Sequence, residues 1–102
     1  MSRYDQVGKV ATSIRTVNGY TRITYHQTVV VKFSNTEVRL DSGGYRTATT
    51  KVRMNQASNQ YNLGFQVYQS KHDWYVVTRS ANGEYDWDHP IPFVDGMRIT
   101  RA

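Results

Sequence analysis

The dipeptide Asn18-Gly19, set between two stretches of alternating polarity, constrains this chain more than any other feature. A two-residue type I′ turn needs positive φ at both central positions, and Asn followed by Gly meets that need at little steric cost. The segment predicts a β-hairpin. Its first strand runs from about Lys9 to Val17, with Val10 and Ile14 on one face. Its second starts at Tyr20 and reaches Phe33. There the odd positions read Ile23, Tyr25, Gln27, Val29, Val31 and Phe33, and the even ones Arg22, Thr24, His26, Thr28, Val30 and Lys32. A period of two makes one face apolar and the other polar. The run is long for a single strand, so the pattern predicts a bend or bulge near Gln27.

Ser34-Asn35-Thr36 reads as a turn. Glu37 to Asp41 follows as a short strand, Val38 and Leu40 inward and Arg39 outward. Asp41-Ser42-Gly43-Gly44 breaks the sheet, because paired glycines open backbone conformations closed to other residues. Thr49 or Thr50 can then N-cap a helix from about Thr50 to Asn62, with Gly64 near its left-handed end. Met54, Ala57 and Tyr61 recur at helical spacing and form its core stripe. That stripe is expected to meet Ile23, Val29, Val31, Phe33, Val38 and Leu40. Phe65–Gln69 and Trp74–Thr78 make a second hairpin around Ser70-Lys71-His72-Asp73. Asp95-Gly96 marks a turn before a short last strand. The expected fold is α+β, a single domain over residues 1–102. It has an antiparallel sheet of about five strands with one helix packed on one face, in the order β-β-β-α-β-β.

Length and composition narrow the function. With 102 residues there is room for one core. The longest apolar run is Trp74 to Val77, too short to cross a bilayer, so no membrane partner is expected. No apolar stretch follows the opening Met1-Ser-Arg-Tyr-Asp, which argues against a signal peptide. The absence of cysteine excludes disulfides, thiolate metal sites and cysteine nucleophiles, and it suits a reducing cytoplasm. The net charge of +5 is unevenly spread. Residues 1–53 carry nine Lys/Arg against three acids, a net of +6; the remainder carries four against five, a net of −1. A basic first half points to an anionic partner, although solubility alone also favours such a charge.

Five features invite a chemical reading. Ser42-Gly43-Gly44-Tyr45-Arg46-Thr47 through Lys51 can cradle a phosphate at a helix N-terminus, or be an ordinary strand-to-helix connection; its spacing matches no nucleotide-binding fingerprint. The helix face with Lys51, Arg53, Asn55, Gln56, Asn59 and Gln60 has two bases and no acid. It can read nucleic acid or merely face solvent. The polar faces of the early strands offer Arg15, Arg22, Thr24, His26, Lys32 and Arg39, with Tyr20, Tyr25 and Tyr45 nearby. Such interleaving can grip a single strand. Glu84-Tyr85-Asp86-Trp87-Asp88-His89-Pro90 matches no metal loop, so no metal and no cofactor are expected. His26, His72 and His89 sit in no catalytic signature, and the protein is expected not to be an enzyme.

Several segments also carry a likeness. Leu40-Asp41-Ser42-Gly43-Gly44-Tyr45-Arg46-Thr47 leads on to Thr49-Thr50-Lys51 and Arg53-Met54-Asn55-Gln56. With Phe65–Gln69, Trp74-Tyr75-Val76 and Phe93–Met97, these resemble small accessory proteins of tailed bacteriophages, over about residues 28–99. The first hairpin lies outside that likeness. The resemblance implies expression in the cytoplasm of an infected bacterium and assigns no functional residue. The resulting expectation is a non-catalytic module that engages nucleic acid through Arg22, Lys32, Arg39, Arg46, Lys51 and Arg53, mostly at phosphates, with Asn55 and Gln56 as base readers. The alternative is an inhibitor or adaptor of a host bacterial protein, anchored by Tyr68, Tyr75, Tyr85 and Trp87. A virion-associated role is a third option, with a homo-oligomer built on an exposed strand edge as its sign.

Overall fold

The computed structural model describes residues 7–101; Arg3 and Asp5 of the charge count lie outside them. The elements are β1 (Thr12–Val17), β2 (Tyr20–Tyr25), β3 (Thr28–Phe33), β4 (Glu37–Leu40), α1 (Ala48–Tyr61), β5 (Phe65–Ser70), β6 (Asp73–Thr78), β7 (Ile91–Pro92) and β8 (Met97–Thr100). They build two antiparallel sheets, ordered β1-β2-β3-β4-β8 and β5-β6-β7. The class is α+β, but the single sheet of about five strands divides in two. The reason lies at the edge of β4. The last strand returns there, pairing Glu37 with Thr100 and Leu40 with Met97. That leaves the β5–β6 hairpin no edge of β4 to join, so it forms a second sheet.

The Asn18-Gly19 turn forms, with φ of 54° and 81°. The long second strand does not. It reverses at His26-Gln27, so that Tyr25 pairs with Thr28 across a two-residue turn. His26 takes the positive φ this reversal uses, 56°, and histidine tolerates that region better than most residues. A bulge follows: Ile23 pairs with Val31 and Thr24 with Val29, leaving Val30 over. A bulge puts two residues of one strand opposite one of its partner. Val30 and Val31 are accordingly both fully buried, and Val29, expected in the core, is only half-buried.

Helix α1 starts two residues earlier than expected, capped by Thr47 rather than Thr49 or Thr50; the Thr50 N–H donates to Thr47 Oγ1 at 3.2 Å. It ends on Asn62 in the left-handed region, where Leu63 N donates to Ser58 O at 2.9 Å. Met54 and Ala57 are fully buried. They join Ile23, Val31, Val38 and Leu40 of the larger sheet to Phe65, Val67, Trp74 and Val76 of the smaller. Truncating one of the large members to alanine costs about 3–5 kcal/mol in such cores. Tyr61 stands at the margin, its ring 4.9 Å from that of Phe33. No helix among the described residues is long and apolar enough to cross a membrane.

Candidate functional site

Strand register builds the most distinctive surface of the molecule. Arg15 stands opposite Arg22, Arg22 opposite Lys32, Lys32 opposite Arg39, and Arg39 opposite Arg98. Five cations thus form one row across all five strands of the larger sheet. Neighbouring strands lie ~4.8 Å apart, so the row is roughly 19 Å long. It lies on the face opposite Ile23, Val31, Val38 and Leu40, since side chains alternate along each strand. Helix α1 covers the other face, where its Met54 and Ala57 meet the core.

Like charges directly opposite one another destabilise a sheet. Two contacts temper this row. Glu37 Oε2 lies 3.2 Å from Arg39 Nε and 3.9 Å from Arg98 Nε. The Arg39 hydrogen bond holds the Glu37 carboxyl below its usual pKa, and donation from Tyr20 adds to the effect. Lys32 Nζ sits 4.6 Å from the centre of the Tyr20 ring. Among the described residues, no carboxylate comes within 4.0 Å of Arg15, Arg22 or Lys32.

Of the predicted nucleic-acid residues, the structure brings Arg22, Lys32 and Arg39 together. It adds Arg15, already on the polar strand face, and Arg98. Sequence reasoning missed Arg98, because only the pairing of β8 with β4 puts it in line. The other predicted cations sit elsewhere. Arg46 lies 5.2 Å from the Phe93 ring centre, and Lys51 5.6 Å from that of Trp74.

Much of the helix face proposed as a reader makes contacts within the protein. Arg53 is buried: its Nε donates to Thr12 Oγ1 at 3.0 Å and its Nη1 to Gln56 Oε1 at 3.2 Å. Gln56 is buried too, and accepts from Gly8 N at 2.9 Å; Gln60 accepts from Val7 N at 2.8 Å. Along a second stripe, Asn55 both donates to Val67 O, at 2.9 Å, and accepts from Val67 N, at 2.7 Å. Ser58 does the same with the Phe65 backbone, at 2.5 and 3.1 Å. Lys51 Nζ donates to Gln69 Oε1 at 3.2 Å. Polar side chains at helix positions 51, 55 and 58 thereby line up on β5 positions 69, 67 and 65. They satisfy a sheet edge that would otherwise lie open. Asn55 and Gln56, the expected base readers, thus direct their amides at the Val67 backbone and at Gly8 and Arg53.

The four predicted aromatic anchors do converge, on the outer face of the smaller sheet. Tyr68 stacks on Tyr75 at 5.6 Å, Trp87 lies 5.6 Å from Tyr68, and Tyr85 lies 6.2 Å from Trp87. The segment carrying Tyr85 and Trp87 is laid along β6 by the Arg79–Tyr85 bridge and by Asp86 N donating to Thr78 O at 2.9 Å. Its His89 pairs with Asp86 at 3.0 Å, and that hydrogen bond raises the imidazole pKa. No cluster of three metal-binding side chains occurs among the described residues.

The loop before the helix is held from the far end of the chain. Ser42 donates to Asp95 Oδ1 through both its N–H and its hydroxyl, each at 2.7 Å. Partial burial works against ionisation of Asp95. The Ser42 bonds, the nearby Arg46 charge and the Gly44 N–H together outweigh it and hold the pKa below the usual value.

Residues 2–100 match the family model described as Kyanoviridae Gp96 protein. The chain belongs to this phage protein family. The match takes in the first hairpin, beyond the stretch carrying the original resemblance. Neither a curated protein nor a solved structure matches the chain.

Proposed function

We propose that this phage protein binds nucleic acid through the cationic row of its larger sheet, without catalysing a reaction. The observation that supports the reading is the register of Arg15, Arg22, Lys32, Arg39 and Arg98 on the face away from α1, where Arg15, Arg39 and Arg98 are exposed and Arg22 and Lys32 partly so. Five aligned cations cost the free protein stability, and a chain of phosphates repays that cost by neutralising them together. The contacts go to backbone phosphates, so the expected binding is largely independent of sequence.

The test is fluorescence anisotropy of a labelled single-stranded oligonucleotide between 50 and 200 mM salt. If all five cations meet phosphates, log K falls with log salt with a slope of about −3.5. The pair Arg22→Glu and Lys32→Glu abolishes binding while leaving the circular dichroism spectrum unchanged. Affinity that does not move with salt sinks the proposal.

One observation favours a second reading. Tyr68, Tyr75, Tyr85 and Trp87 converge, and Trp87 keeps 57% of its surface exposed. Aromatic residues dominate the energetics of protein interfaces. A bacterial protein captured from host lysate after nuclease treatment, and lost with Trp87→Ala, would support a protein partner at that face.

A further inference from the structure

A cavity of about 820 Å³ opens at the tip of the β2–β3 hairpin. Its walls come from four places: Ala11–Ser13, the hairpin tip Tyr25–Thr28, Ser42 and Tyr45 of the glycine loop, and Thr47 and Thr50 of the helix start. Its size falls in the usual range for small-molecule pockets. Two structural devices fix its shape. Gly43, at φ +65°, lets the loop lie against Thr28, where a Cβ would strike the threonine side chain. The Ser42–Asp95 bonds hold that loop from behind.

The chemistry of the lining is uneven. On the floor, Ser42, Thr47 and Thr50 spend their hydroxyls on Asp95, on each other and on Tyr45 O. On the walls, the side chains of Ser13, Tyr25, His26, Gln27, Thr28 and Tyr45 make no hydrogen bond to the described residues. Tyr45 is 74% exposed and touches no other ring among the described residues, although its backbone N–H and C=O are both hydrogen-bonded. Among the described residues, no Lys, Arg, Asp or Glu lines the cavity. The glycine loop thus displays the Tyr45 ring over a hydroxyl-rich hollow.

We infer that this cavity takes an unstacked nucleobase of the bound strand. The inference rests on the nucleic-acid reading above. A lining without Lys, Arg, Asp or Glu suits an uncharged group; the unpaired Tyr45 ring and the free hydroxyls of Ser13 and Thr28 suit a flat heterocycle with a hydrogen-bonding edge, the usual mode for single strands. The site is within reach of the row. Ser13 lies in register with Thr24 on the row's face; Tyr25, three residues and about 10 Å along the strand from Arg22, points to the opposite, helix-covered face, so a bound strand enters the cavity by passing round the β2–β3 hairpin tip.

The test uses the full chain at low salt with two labelled strands of equal length, one of mixed-sequence DNA and one of abasic deoxyribose phosphate. Wild type is expected to bind the base-bearing strand more tightly. Tyr45→Ala should weaken that strand roughly 5- to 150-fold and leave the abasic strand unchanged. Equal losses on both strands, or none on either, overturn the inference while leaving the cationic row standing. If neither strand binds, the row has failed, and free nucleosides decide the cavity. Amide shifts at Ser13, Thr28 and Tyr45 on adding adenosine or cytidine sustain a ring site. No shifts, or equal shifts with ribose alone, overturn it.

Discussion

The outer faces of the two sheets meet solvent in different ways. The larger sheet presents cations to one another across every strand pair, with Glu37 as the carboxylate that reaches them. The smaller sheet is overlaid by the chain's own segment. Val77, which points to that side with Tyr68 and Tyr75, is completely buried. Three of the four aromatic residues there are at least half-covered, and only Trp87 stays largely in solvent. One face therefore has its apolar surface satisfied from within, and the other holds cations of which Glu37 reaches Arg39 and Arg98 and no carboxylate of the described residues reaches Arg15, Arg22 or Lys32. Convergence alone does not mark a binding face. Unmet physical demand is greater on the cationic side, which is why the proposed function is placed there.

That contrast can be broken most severely at Arg53, a cation with a structural task. Arg53→Ala should leave Gln56 and Thr12 without their buried partner and lower stability by about 2 kcal/mol. In a chain of this size, that moves the melting midpoint by roughly 8–16 °C. Nucleic-acid affinity of the folded fraction should not change. Arg22→Ala should do the reverse: little change in melting, and a clear loss of affinity. A calorimetric scan beside an anisotropy titration separates the two, and similar profiles would erase the distinction between structural and surface cations.

Next in size is Asn55→Ala, which uncovers the edge of β5. The expected loss is about 1–2 kcal/mol, from two hydrogen bonds to the Val67 backbone. The Val67 amide should exchange with solvent faster in the variant. Unchanged exchange would show that the helix does not guard this edge.

Glu37→Gln sharpens the cationic side. It removes the carboxylate beside Arg39 and Arg98, and affinity for a single strand should rise about 2- to 5-fold. No rise would mean that the row does not contact the ligand.

The smallest effect is a pH dependence. The folded-state pKa of Asp95 is depressed, so its contribution is present above the unfolded pKa and is lost as pH falls through the folded one. Asp95→Asn should flatten the acid limb of stability below about pH 4. Its Ser42 contacts are partly solvated, which limits the loss at neutral pH to about 1 kcal/mol. His89 runs the other way. Its raised pKa makes the Asp86 pair a contribution that fades as pH rises through that value, at an exposed site on the aromatic side.

Much of this protein was legible without coordinates, because much of it is decided within a few residues. Turn chemistry at Asn18-Gly19, the alternation of β4, the helix with Met54 and Ala57 inward, and the second hairpin all follow from local conformational preference and period. The polar side of β2 and β3 was also readable, and with it Arg22, Lys32 and Arg39. Other features depended on partners far along the chain. Alternation by itself does not show where a strand reverses, so Tyr20–Phe33 read as one element instead of two joined at His26-Gln27. A single bulge then moved Val30 into the core. A helix surface rich in Asn, Gln and Arg has the same composition whether it faces water or bonds to the backbone of β5 and to the segment before β1. Only tertiary packing decided that it does the latter. The row itself is likewise long-range. Each cation is local sequence, but their alignment is set by hydrogen-bonded register across five strands, and its last member arrives only when β8 closes on β4.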